Sequence, residues 1–123
     1  MYVVATPIGN LEDITLRALR ILKEVDLIVA ENRTHTRRLC DHYGIKTKIA
    51  TYNQHSRKSR TQRLVAQLRT GMKLALVSDA GTPGISDPGV MLISGGIERK
   101  IQITPIPGPS AAVAGLSVCG FST

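Results

Sequence analysis

Five short apolar runs, each followed by a segment of helical period, constrain this chain more than any other feature. Tyr2-Val3-Val4-Ala5, Leu27-Ile28-Val29-Ala30, Lys48 to Tyr52, Lys73-Leu74-Ala75-Leu76-Val77 and Ile101-Gln102-Ile103-Thr104 read as strands. The best of them are apolar throughout, the pattern of a strand buried on both faces. Helical patterns fall between and after them, over Asp13 to Lys23, Thr34 to His42, Arg60 to Arg69, Pro88 to Lys100 and Ser110 to Val118. Strict alternation of the two predicts an α/β fold: a mostly parallel five-stranded sheet flanked by helices, with right-handed crossovers. The length fits one domain, residues 1–123.

Local signals set the expected boundaries. Leu11, Ile14, Ala18, Ile21 and Leu22 fall on one face of the first helix, and Arg17, Arg20 and Lys23 lie off it. Asp13 is the expected N-cap there, and Asp87 with Pro88 at the first helical position has the same form later. Gly44 and Gly71 follow helical segments as natural stops. Leu64, Val65 and Leu68 point inward from their helix, whereas Gly95-Gly96 weakens the next one. Asn53 to Arg60 reads as a polar, basic, mobile connection.

Three Gly/Pro loops follow strands: Thr6 to Asn10, Ser78 to Gly89 and Pro105 to Ser110. In a parallel sheet they open on one edge, where the strand carboxyl ends point. Glycine there lets backbone approach a ligand closely. The three together predict a groove for one extended small molecule, although each alone is also ordinary strand-to-helix turn chemistry. Gly-x-x-x-x-Gly-Lys-Ser/Thr, Gly-x-Gly-x-x-Gly and Gly-x-Ser-x-Gly are all missing, which argues against a P-loop triphosphatase, an ordinary dinucleotide fold and a hydrolase elbow. No His/Cys spacing suits a metal.

Charge is concentrated. Of the formal +7, residues 31–69 hold ten basic and two acidic side chains, or +8; the remainder has six and seven, or −1. That block suits a polyanionic partner, or is a solvated basic face. It has few aromatics, so stacking on single-stranded bases is not its mode. Cys40 and Cys119 are far apart and read as reduced thiols, consistent with a cytoplasmic location. No apolar run is long enough to span a membrane, and strand residues from Tyr2 onward give the expectation of no signal peptide.

Three stretches carry a resemblance. Tyr2-Val3-Val4-Ala5-Thr6-Pro7-Ile8-Gly9-Asn10-Leu11-Glu12-Asp13-Ile14-Thr15, then Ser78 to Gly89, then Pro105-Ile106-Pro107-Gly108-Pro109-Ser110-Ala111 occur in order and at matching spacing. The chain resembles the small-subunit ribosomal RNA methyltransferase I family of the tetrapyrrole methylase superfamily along its whole length. The resemblance implies an S-adenosylmethionine-dependent 2′-O-methylation of a cytidine ribose in 16S rRNA of the small ribosomal subunit. It further implies a homodimer and no metal. Family members bind the cofactor between two domains. The chain is therefore expected to be the N-terminal domain, with the C-terminal domain absent and no activity on its own.

Carried over by position, the resemblance implies cofactor contacts at Pro7, Ile8 and Gly9, at Asp79, Ala80, Gly81 and Thr82, and at Ser110 and Ala111. Two positions depart from the family pattern: amides, Asn32 and Gln54, stand where the family has acids, which bears on substrate handling more than on cofactor binding. Arg33, Arg37, Arg38, Arg57, Lys58, Arg60 and Arg63 are the candidates for rRNA phosphates. A ribose hydroxyl benefits from a base, and Glu31 and His35 are candidates by residue type. Each also has a plainer explanation: Glu31 as a charge favourable to a helix N-terminus, His35 as a surface residue at a helix start. Two other functions fit parts of the sequence, a tetrapyrrole or corrinoid C-methyltransferase and a non-catalytic RNA-binding module. The basic block disfavours the first, since a small anionic ring needs far fewer cations.

Overall fold

A computed structural model describes residues 1–53 and 57–122. Its elements run β1 (Tyr2–Val4), a 3-10 turn (Leu11–Asp13), α1 (Leu16–Glu24), β2 (Leu27–Ala30), α2 (Arg33–His42), β3 (Ile49–Thr51), α3 (Arg57–Arg69), β4 (Leu74–Val77), α4 (Gly89–Glu98), β5 (Thr104–Ile106) and α5 (Ala111–Val118). All strand pairs are parallel, in the order β3-β2-β4-β1-β5. The α/β class and the five-stranded sheet match the expectation from the sequence.

The pleat divides each apolar run between two cores. Ile28, Ala30, Ala75 and Val77 pack on one face with Ala18, Ile21 and Leu22 of α1 and Leu39 and Cys40 of α2. Leu27, Val29, Leu74 and Leu76 pack on the other with Leu64, Val65 and Leu68 of α3 and Leu92 of α4. Full burial of such a side chain stabilises by roughly 1.5–3 kcal/mol. This is why β2 and β4, buried at every position, sit inside the sheet. The chain leaves β1 by α1 over one face and leaves its neighbour β4 by α4 over the other. The carboxyl ends of β1 and β4 therefore flank the crevice where parallel sheets hold ligands.

Several boundaries differ from the expectation, each for a local reason. Thr15, not Asp13, caps α1: its hydroxyl accepts from the Ala18 N–H at 3.0 Å. Asp13 instead ends the 3-10 turn, which Asn10 caps by accepting from the Glu12 N–H. That turn also takes Leu11 off the buried stripe of α1 and leaves it exposed. The fifth strand is Thr104–Ile106 rather than Ile101 to Thr104, with Tyr2 paired to Thr104 and Val4 to Ile106. Pro105 lies inside it, tolerated because β5 is an edge strand. Within the expected mobile connection, residues 57–60 are the first turn of α3, and Gln54 lies outside the described residues. Pro88 rather than Asp87 stands in the cap position of α4, which begins at Gly89; Asp87 still braces that start, its carboxylate accepting from the Gly84 N–H at 2.7 Å and the Gly89 N–H at 2.8 Å.

Candidate cofactor cavity

The loops after β1 and β4 are stitched together. Thr6 and Gly81 form an antiparallel bridge, each N–H donating to the other's carbonyl at 3.0 Å. The buried Thr6 hydroxyl donates to the Ser78 carbonyl at 3.1 Å, and the Ser78 hydroxyl donates to the Gly81 carbonyl at 3.2 Å. Gly81 has φ of +75°, which a side chain would strain. The third loop closes against the first: the Ala5 N–H donates to the Ile106 carbonyl, and a Cβ on Gly108 would lie 2.8 Å from that of Ala5. The three loops foreseen from the sequence thus meet on one edge of the sheet.

Beside them lies an open cavity of about 410 Å³. Thr6 to Leu11 form one wall, Ser78, Asp79 and Ala80 a second, and His35, Thr36, Arg38 and Leu39 of α2 a third. Helix α2 is fixed there by buried Thr36 and Leu39 and by Asn32, whose side chain accepts from the His35 N–H at 3.1 Å. The Tyr43 hydroxyl donates to the Leu11 carbonyl and ties α2 to the first loop. Asn32 therefore does the capping work an aspartate would do there.

Asp79 carries the decisive chemistry. Its Oδ1 is buried and has no hydrogen-bond partner. An unmatched buried carboxylate oxygen costs about 1–3 kcal/mol or more, so it marks a place where a donor is missing. The Asp79 carboxylate and the apolar side chain of Ile8 suit a ligand with hydroxyl or amino donors and an apolar body. The residues present thus fit the cofactor that the sequence resemblance implies.

The predicted contacts divide. Pro7, Ile8, Gly9, Asp79 and Ala80 line the cavity. Gly81 is buried in the bridge beneath it, Thr82 is exposed, and neither Ser110 nor Ala111 lines it. Ser110 caps α5, accepting from the Val113 N–H. Of the two candidate bases, His35 lines the cavity, whereas exposed Glu31 does not. Thr6, Asn10 and Ser78 line it from within the loops that the sequence named, whereas Leu11, Thr36 and Leu39 are lining residues that sequence reasoning passed over. The buried stripe of α2, three residues apart at Thr36 and Leu39, was the available signal. The basic candidates also part company. Arg33, Arg37 and Arg38 belong to α2 on one side of the sheet, and Lys58, Arg60 and Arg63 to α3 on the other. Arg57 begins α3, with its side chain outside the described residues.

The sequence profile of the Tetrapyrrole (Corrin/Porphyrin) Methylases matches residues 1–123. The chain belongs to that family. Among curated methylase relatives, the Synechocystis sp. protein named "Ribosomal RNA small subunit methyltransferase I" is 51% identical over 123 residues, covering 100% of this chain and 44% of its own. A protein of the same name from Escherichia coli O157:H7 is 48% identical over 121 residues, covering 98% of this chain and 42% of its own. The chain spans less than half the length of these relatives. Methylase structures agree with the fold. Uroporphyrin-III-C-methyltransferase from Thermus thermophilus superposes with a TM-score of 0.72 at 25% identity, over 98% of this chain and 52% of that one. Diphthine synthase superposes with a TM-score of 0.76 at 15% identity, over 98% and 48%.

Proposed function

We propose that this methylase chain forms the S-adenosylmethionine-binding part of an RNA methyltransferase whose substrate is small-subunit ribosomal RNA and whose acceptor is a cytidine ribose 2′-hydroxyl. The unpartnered Asp79 oxygen, in a cavity at the carboxyl ends of β1 and β4, carries the reading. The names of relatives about half identical over the whole chain support the RNA substrate. So does the basic balance of residues 31–69, which separates this reading from a tetrapyrrole substrate. The acceptor position rests on the sequence resemblance.

When bound, S-adenosylmethionine supplies a methyl group on a sulfonium sulfur, open to in-line displacement by an oxygen nucleophile. The chain's work is alignment and exclusion of water. Asp79 accepts hydrogen bonds from ligand hydroxyl or amino groups. Pro7 and Ile8 shield the cavity, and Gly81 locks the loop after β4 to the loop after β1 through its bridge to Thr6. Gly108 seats the third loop, with Ser110 and Ala111, against the first. His35, on the α2 wall, is the residue placed to take a proton from a ribose hydroxyl, and exposed Glu31 is not. Self-association is part of the same proposal, because every residue of α5 is exposed although the helix has no charged side chain. No helix among the described residues is long and apolar enough to cross a membrane, and the cytoplasm is the compartment proposed.

The test is calorimetric titration of S-adenosylmethionine into this chain and into the longer Synechocystis sp. relative. Binding by both places the cavity in this chain alone. Binding by the relative alone makes this chain one side of a cleft completed elsewhere. Binding by neither sinks the methyltransferase reading and leaves a non-catalytic RNA-binding module.

A further inference from the structure

We infer that Arg38 is the positioning residue that holds an RNA phosphate at the mouth of the cavity, apart from the other cations of the basic block. The inference rests on the methyltransferase reading above. Helix geometry separates the arginines of α2. The buried stripe is Thr36, Leu39 and Cys40. Residues three apart share a flank of such a stripe, so His35 and Arg38 fall together on the side that lines the cavity. Arg33 and Arg37, four apart, fall on the other flank and do not line it. Lys58, Arg60 and Arg63 lie across the sheet on α3.

Arg38 is exposed and, among the described residues, has no ion pair or hydrogen bond. Its register is nonetheless set by the Asn32 cap and by the buried neighbours Thr36 and Leu39. The second wall includes Asp79, whose buried Oδ1 has no hydrogen-bond partner. The cavity therefore has a carboxylate on one side and an uncommitted guanidinium on another. A guanidinium binds an oxyanion bidentately, and a phosphate matches its fork. Two oxyanions could occupy it, a phosphate of the RNA or the carboxylate of an amino-acid-bearing cofactor. The exposed, rim-like character of Arg38 and its place in the block carrying +8 favour the phosphate. A phosphate fixed there brings the adjoining ribose to the His35 wall.

The experiment measures binding of a short cytidine-containing single-stranded RNA to this chain across a salt series, with S-adenosylmethionine titrated separately. Arg38→Gln is expected to weaken RNA binding by about tenfold and to lower the salt slope by about 0.7. Its cofactor binding should not change. Arg38→Lys should restore the slope but not the full affinity, because the charge remains and the fork is lost. Lys23→Gln on α1 removes one charge elsewhere and should leave RNA binding within twofold. If Arg38→Gln behaves like Lys23→Gln while the parent chain binds RNA, Arg38 is an ordinary surface cation and the inference falls alone. Loss of cofactor binding with RNA binding intact assigns Arg38 to the cofactor and also overturns it. Failure of the unsubstituted chain to bind RNA at any salt overturns this inference, while the methyltransferase reading stands or falls on the cofactor titration above.

Discussion

Two concavities of similar size, one at the strand-end edge of the sheet and one on its α3/α4 face, differ in their unmet hydrogen-bonding capacity. One is the cavity of about 410 Å³ among the strand-end loops. The other is a groove of about 460 Å³ between α3 and α4, lined by Lys58, Arg69 and Arg99 around Val90, Met91 and Gly95. The groove is a packing seam. A Cβ on Gly95 would lie 2.8 Å from Thr61 Cγ2, so the helices meet closely there, and Thr61 is itself bonded to the Tyr52 hydroxyl. Its rim is also internally satisfied in part, with Arg99 paired to Glu98 at 3.3 Å. The cavity, by contrast, is lined by Asp79, whose buried Oδ1 has no hydrogen-bond partner, in loops that spend their own hydrogen bonds on one another. Size does not distinguish the two; unmet hydrogen-bonding capacity does.

The contrast can be broken or sharpened by substitution. Leu92→Ala, beneath the groove and fully buried, should cost about 2–5 kcal/mol in urea unfolding and leave cofactor affinity within twofold in calorimetry. A large affinity change there would make the groove part of the site. Gly81→Val places a branched side chain at φ +75° and should cost about 2 kcal/mol, with cofactor binding lost because the bridge to Thr6 is disturbed. Asp79→Asn should lower cofactor affinity about tenfold, near 1.4 kcal/mol, yet leave unfolding free energy unchanged or raised. A binding carboxylate and a structural one give opposite signs in that pair of measurements. Asn32→Ala should cost about 1 kcal/mol of stability, whereas Asn32→Asp should be neutral, since either residue caps α2. Lys58→Gln in the groove should have the smallest effect, below about 0.5 kcal/mol on stability and none on cofactor binding. The titration that tests Asp79 would detect any departure.

Much of this was legible in advance because strand burial writes itself into composition. Leu27 to Ala30 and Leu74 to Val77 are apolar at every position, and both proved to be interior strands. The fifth strand was misplaced by three residues because its register is set across the sheet by Tyr2 and Val4, not by its own apolar content. Similarly, Asp13 and Thr15 are both good caps in isolation; the 3-10 turn after Asn10 decides between them. At the site, the loops, Ser78 included, announced themselves through Gly and Pro, whereas Thr36 and Leu39 showed only as the buried stripe of a helix, with nothing to say that it walls a cavity. The basic block reads as one feature in sequence and becomes two because α2 and α3 cover opposite faces.

The amino-acid order alone determined the α/β class, the strand and helix succession, the three ligand-side loops and the family. The class, the succession and the loops follow from local propensity, apolar period and turn chemistry, each expressed within about a dozen neighbouring residues, and the family follows from the resemblance of three motifs. Tertiary structure decided the rest: which loops touch, that Asp79 is left without a donor, that His35 and Arg38 share its cavity, and that the α3 cations do not. These depend on a sheet order that places β1 beside β4, between strands far apart in the chain, and no local signal encodes a contact of that range.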